Sequence, residues 1–105
     1  IKPAQLVNTE NSAHHLYPVE IDFTETKISR SELMIKLKNN GIGTQVHYMP
    51  IPLNPFYQRL GYHSEDIPNA IAYYYKTLSI PLYPGLKSSQ QEFIVHELER
   101  FSGCL

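Results

Sequence analysis

The run from Gly41 to Tyr57 constrains this chain most, because a strand-like stretch, Thr44-Gln45-Val46-His47-Tyr48, passes directly into a loop carrying Pro50, Pro52 and Pro55. Each proline fixes its own φ and pushes the residue before it toward extended backbone, so the segment is stiff before any tertiary contact forms. It can therefore hold the polar rings of His47, Tyr48 and Tyr57 at low entropic cost, which suits a ligand-facing rim better than a connector.

At 105 residues the chain has room for one core. Its 42% hydrophobic content includes no run near the roughly 20 apolar residues that cross a bilayer, so no membrane partner is expected. Nine basic and ten acidic residues are interspersed to a net charge of -1, which leaves no basic stripe for phosphate and argues against nucleic acid. Cys104 is the only cysteine, so no intrachain disulfide can form and a cytoplasmic setting is expected. The chain opens at Ile1 without a methionine or a signal-like segment and reads as a piece of something longer.

Residues 1–13 are polar, with Pro3, Asn8, Asn11 and Ser12, and read as an incoming linker; residues 14–105 read as the folded domain. From His14 to Phe23 the parity is strand-like, with Tyr17, Val19, Ile21 and Phe23 expected inward and Pro18 arguing for an edge or a bulge. Ser29 and Glu32 have capping-box spacing, and Leu33 and Leu37 form the stripe of a helix that Gly41 ends. A second strand over Thr44–Tyr48 is expected to return beside the first. Short and longer helices follow from Pro55 and Pro68, the latter with Asp66 as candidate cap. Ser79 to Pro84 is an edge strand or extended passage, and Ser88 or Ser89 starts a last helix with Ile94, Leu98 and Phe101 inward. The sum is an α+β domain, a small and mainly antiparallel three-stranded sheet covered by helices.

The chemistry this pattern excludes is wide. His14 and His15 are neighbours that face opposite ways on a strand, and His47, His63 and His96 lack ligand spacing, so no metal site is expected. No serine sits in a Gly-x-Ser-x-Gly elbow, and Gly41-Ile42-Gly43 follows a helix where a phosphate loop would precede one. Tyr73, Tyr74 and Tyr75 fall successively around a helix, so not all can be buried, and most tyrosines read as shell or interface.

The combination His15-Leu16-Tyr17-Pro18, Gly41-Ile42-Gly43, Gln45-Val46-His47-Tyr48-Met49-Pro50, Asn54-Pro55-Phe56-Tyr57, Pro68-Asn69-Ala70 and Ser79-Ile80-Pro81-Leu82-Tyr83-Pro84 resembles the C-terminal end of the DegT/DnrJ/EryC1/StrS nucleotide-sugar aminotransferases. The resemblance covers about residues 14 to 101. Within that family it is most similar to the branch that aminates a UDP-linked 4-keto-6-deoxy-N-acetylhexosamine on the route to pseudaminic acid.

The resemblance implies the C-terminal small domain of the aspartate-aminotransferase fold. It implies an enzyme that uses pyridoxal phosphate and glutamate, works as a homodimer, and carries its Schiff-base lysine in an N-terminal large domain of the same chain. No lysine here has that setting and the Asp-x-Ala-His element is missing, so no catalytic residue and no bound cofactor are expected in this piece. Its expected part is to close the cleft and bind the UDP-sugar through Gln45, Val46, His47, Tyr48 and Tyr57. The family often carries a second histidine where this chain has Pro52. The alternative is an autonomous α+β module that binds or responds to a small molecule.

Overall fold

The computed structural model describes residues 1–4 and 11–103. Three antiparallel strands lie in the order β1 (Lys2–Pro3), β2 (Tyr17–Glu20), β3 (Thr77–Ile80), and four α-helices accompany them: α1 (Arg30–Asn39), α2 (Pro55–Arg59), α3 (Pro68–Lys76) and α4 (Ser88–Ser102). The expected α+β architecture is present, with different strands in it.

Helix α1 forms where its local signals put it. Ser29 accepts from the Glu32 amide, and the Glu32 carboxylate accepts from the Ser29 amide at 2.9 Å, so two backbone donors that a helix start leaves open are satisfied. At the other end Gly41 adopts φ 77° and lets the chain leave, with Ile42 donating back to the Leu37 carbonyl. Leu33 and Leu37 face inward and meet Ile94 and Leu98 of α4, Val19 of β2, Ile21 just beyond it, Leu78 of β3 and Ile42. Each fully buried leucine in this cluster contributes about 1.5–3 kcal/mol of burial free energy. Arg30 ties the layers at a second place, donating to the Tyr74 and Thr77 carbonyls at the junction of α3 and β3 while its guanidinium lies 4.6 Å from the Tyr74 ring centre.

Strand register departs from the sequence reading. Lys2 and Pro3 pair with Glu20 and Val19, so the start of the segment read as a linker supplies the third strand; residues 5–10 lie outside the described residues. That makes β2 the middle strand, and the edge position expected for Pro18 is not what it occupies. Parity spares the β2–β3 ladder from the proline. Pro18 faces Ser79, whose amide and carbonyl are both spent on Gln45, so the missing N–H of Pro18 points toward β1, where Ala4 donates to its carbonyl at 3.0 Å. Val19 and Ile21 are buried and Phe23 is partly so, but Tyr17, expected inward with them, is exposed at the strand end.

The strand expected over Thr44–Tyr48 shrinks to one antiparallel bridge, and its partner is Ser79 of β3 instead of the first strand. The prolines that follow cannot extend a ladder. Asp66 does not cap α3; its carboxylate accepts from the His63 amide in a preceding 3-10 turn, and Ile67 sits at the cap position without a side-chain bond. Lys87 occupies the start of α4, where its amide donates to the Gln90 side chain, so neither Ser88 nor Ser89 is the cap.

Candidate functional site

The rim is built outward from β3. Gln45 exchanges both backbone bonds with Ser79, at 3.1 Å and 2.8 Å, which fixes the chain two residues before His47. Leu78 points to the helical core, so Ser79 points to the opposite face of the sheet. There its hydroxyl lies 2.9 Å from His47 Nδ1. The His47 and Tyr48 rings meet edge to face at 4.6 Å, across a peptide bond that is cis, and Tyr48 is 74% exposed. Val46 is half-buried, and its amide donates to the Gln45 side-chain carbonyl at 3.3 Å; among the described residues the Gln45 amide nitrogen has no partner.

Beyond the rim, Pro50 leads into a 3-10 turn at Ile51–Leu53, and Asn54 caps α2 by accepting from the Phe56 amide at 2.9 Å. Tyr57 sits on α2, its ring edge-on to Phe56 at 5.2 Å and to Tyr62 at 6.1 Å. The five candidate residues thus fall into two groups: Gln45, Val46, His47 and Tyr48 anchored on β3, and Tyr57 within an aromatic cluster of its own. Met49, Ile51, Phe56 and Leu60 are exposed between and around them.

Two further features lie away from the rim residues. An apolar groove of about 370 Å³ runs between the β3 exit and α4, lined by Tyr17, Ile80, Leu82, Tyr83, Ile94 and Val95 among others. A charged dish of about 350 Å³ lies at the far sheet edge, where Lys2 pairs with Glu20 at 3.4 Å and Lys76 with Asp22 at 3.1 Å. The Asp22 carboxyl is held below its ordinary range, first by the Thr24 hydroxyl and then by Lys76.

Sequence reasoning missed two buried polar residues. Ser79 was only the first residue of an extended passage, and its hydroxyl could be noticed as polar between Leu78 and Ile80 but not paired with a ring 32 positions away. Glu97 is 4% exposed on α4, with one carboxylate oxygen 3.3 Å from Arg100 and the other without a partner. Helical spacing placed it on the amphipathic surface and gave no sign that its head would be enclosed.

A pyridoxal phosphate cradle needs an enclosed lysine beside phosphate donors. All six lysines are exposed, two are paired with carboxylates in the dish, and Lys36 lies over the Phe101 ring at 5.7 Å. Among the described residues, then, no enclosed lysine is available for such a cradle. Among them, no cluster of three His, Cys, Asp or Glu side chains is placed to hold a metal ion, and no helix is long and apolar enough to cross a membrane. Cys104 lies outside the described residues.

A three-stranded antiparallel sheet accompanied by helices in this arrangement superposes on part of solved sugar aminotransferases. Residues 2–99 match the DegT/DnrJ/EryC1/StrS aminotransferase family, and the chain belongs to that family. It is 40% identical over 85 residues to a spore coat polysaccharide biosynthesis protein of Bacillus subtilis, covering 79% of this chain and 22% of that one. A putative sugar aminotransferase from Streptococcus pneumoniae, solved in its PMP form, superposes with a TM-score of 0.83 at 26% identity over 98% of this chain and 26% of its own. The same enzyme in its PLP form gives 0.82. Helicobacter pylori PseC, an aminotransferase involved in the biosynthesis of pseudoaminic acid, gives 0.73 at 26% identity over 87% of this chain and 24% of its own. The chain thus spans about a quarter of the length of these relatives.

Proposed function

We propose that this chain is the C-terminal small domain of a pyridoxal-phosphate-dependent aminotransferase that moves an amino group from glutamate to a UDP-linked 4-keto-6-deoxy sugar. The finer reading, that the sugar is the pseudaminic acid precursor, is supported by the likeness to the Helicobacter enzyme. In this reading residues 1–13 lead in from a large domain of the same chain, the whole enzyme is a cytoplasmic homodimer, and the cofactor and its lysine belong to the large domain.

The chain's own residues bind, orient and cover the substrate. His47 and Tyr48 offer donors to sugar hydroxyls or phosphate oxygens, the free amide end of Gln45 suits a carbonyl of an amide or a uracil edge, and Val46 and Tyr57 supply apolar cover that keeps water from the ligand. The observation that carries this reading is the anchoring of His47 on a buried serine beside a tyrosine left 74% exposed. A ring held without being covered is prepared for something else.

Calorimetric titration of the chain with a UDP-linked 4-keto-6-deoxy-N-acetylhexosamine, with glutamate and with free amino acids tests it. The sugar nucleotide should bind, and Tyr48→Ala should weaken it about tenfold, or about 1.4 kcal/mol. Tight binding of an unrelated metabolite, with no response to the sugar nucleotide, would favour an autonomous binding module instead.

A further inference from the structure

We infer that Ser79 is a positioning residue that fixes the tautomer of His47, so that the rim presents an Nε2–H donor and selects a ligand oxygen that accepts. The inference rests on the proposed binding of a sugar nucleotide at the rim and adds which atom of the histidine meets it.

Hydrogen-bond satisfaction decides the tautomer. Ser79 is 5% exposed, and both of its backbone groups are taken by Gln45. Among the described residues its hydroxyl has one partner, His47 Nδ1 at 2.9 Å. A hydroxyl carries one donor, and a neutral imidazole carries a proton on one nitrogen only. If Nδ1 held that proton, Ser79 Oγ would accept it, and the serine's own O–H would be enclosed without an acceptor. If Nε2 holds it, the serine donates to Nδ1 and both groups are satisfied. A buried donor left unmade is the costlier arrangement, so the site favours the second.

The outer nitrogen points the same way. His47 is half-buried, and among the described residues its Nε2 has no hydrogen-bond partner. The histidine is thus pinned on its inner side and open on its outer side, as ligand-binding imidazoles are when a second group sets their tautomer. The neighbouring strand position provides a contrast: Thr77 shares the face of Ser79, is also buried, and its hydroxyl has no partner among the described residues. Burial of a hydroxyl on this face does not by itself bring a ring to it; the Gln45 bridge does, by delivering His47 to Ser79. A phosphate oxygen, a sugar hydroxyl oxygen or a uracil carbonyl could each accept from Nε2–H, whereas a ligand group that only donates, such as an ammonium, could not.

The test is long-range nitrogen-15 NMR of the histidine rings of the whole chain without ligand, at a pH above the ordinary imidazole range, where the ring is neutral. His47 should show a single form protonated at Nε2. Ser79→Ala should turn that into an exchanging mixture, and Ser79→Thr, which keeps the hydroxyl, should restore it. A purely structural serine would leave the tautomer signature of a folded Ser79→Ala variant unchanged, and that result overturns the inference, as does an Nδ1–H form in the unaltered chain. Should Ser79→Ala fail to fold, the unaltered chain and Ser79→Thr decide: both must show Nε2–H.

Titration with uridine diphosphate and with the UDP-sugar then separates this inference from the reading it rests on. Binding should weaken roughly tenfold in Ser79→Ala, the low end of what outer-shell partners contribute at metal-ligating imidazoles, and recover in Ser79→Thr. If the spectra behave as expected and neither nucleotide binds, the Ser79 and His47 pairing stands and the sugar-nucleotide reading falls. If the nucleotides bind while His47 is protonated at Nδ1, the pairing falls and the binding reading stands.

Discussion

The half of the molecule around α1, β2, β3 and α4 and the arm from Tyr48 to Tyr62 contain similar amounts of apolar side chain, but they use it in opposite ways. In the first, Leu33, Leu37 and Leu78 are fully enclosed. In the second, Tyr48, Met49, Ile51, Phe56, Leu60 and Tyr62 are exposed, and Pro52 is the one buried residue between them. Stiffness in the arm therefore comes from prolines and caps instead of packing, and its rings stay available because holding them does not require covering them.

The sharpest way to break this comparison is a pair of truncations. Leu78→Ala should cost about 2–5 kcal/mol in denaturant unfolding, because it empties an enclosed site, while Tyr48→Ala should stay within about 0.5 kcal/mol. Equal losses would mean that the rim belongs to the core. Gly41→Val comes next at about 1–2 kcal/mol: an added Cβ would meet nothing within 4 Å, so the cost comes from the left-handed backbone at φ 77°.

Ser29→Ala follows, at about 1 kcal/mol through the lost cap. It has a pH signature. The Ser29 hydroxyl and then its amide hold the Glu32 carboxyl below its ordinary range, so the folded pKa is lower than the unfolded one. That contribution is present above the unfolded carboxylate range and lost as pH falls through the folded value. Unfolding curves of the two proteins should converge in acid; a gap that stays constant would show that the carboxylate takes no part.

Features legible in the sequence are those whose cause spans a few residues. The Ser29 and Glu32 reciprocal bonds, the Gly41 exit and the helices entered at Pro55 and Pro68 are all set by local geometry. Strand partnership is not local. Two residues at positions 2 and 3 carry no periodicity to read, and only their pairing with β2 reveals them as a strand. Pro18 illustrates the same limit, since whether its missing donor matters depends on which neighbour it faces. The proline-rich loop already marked His47 and Tyr48 as candidates, but the serine that holds the histidine became visible only once β3 and the rim were brought together.

Pro3 carries a last consequence. Ala4 bonds inward to Pro18, so by alternation Pro3 turns its backbone outward, and the open margin of the sheet has a carbonyl there with no N–H beside it. A strand from another molecule seeking to extend the ladder would find half of each expected rung absent at that position. The margin is thereby protected against edge-to-edge growth into fibrils, by a residue that the middle of a ladder would ordinarily reject.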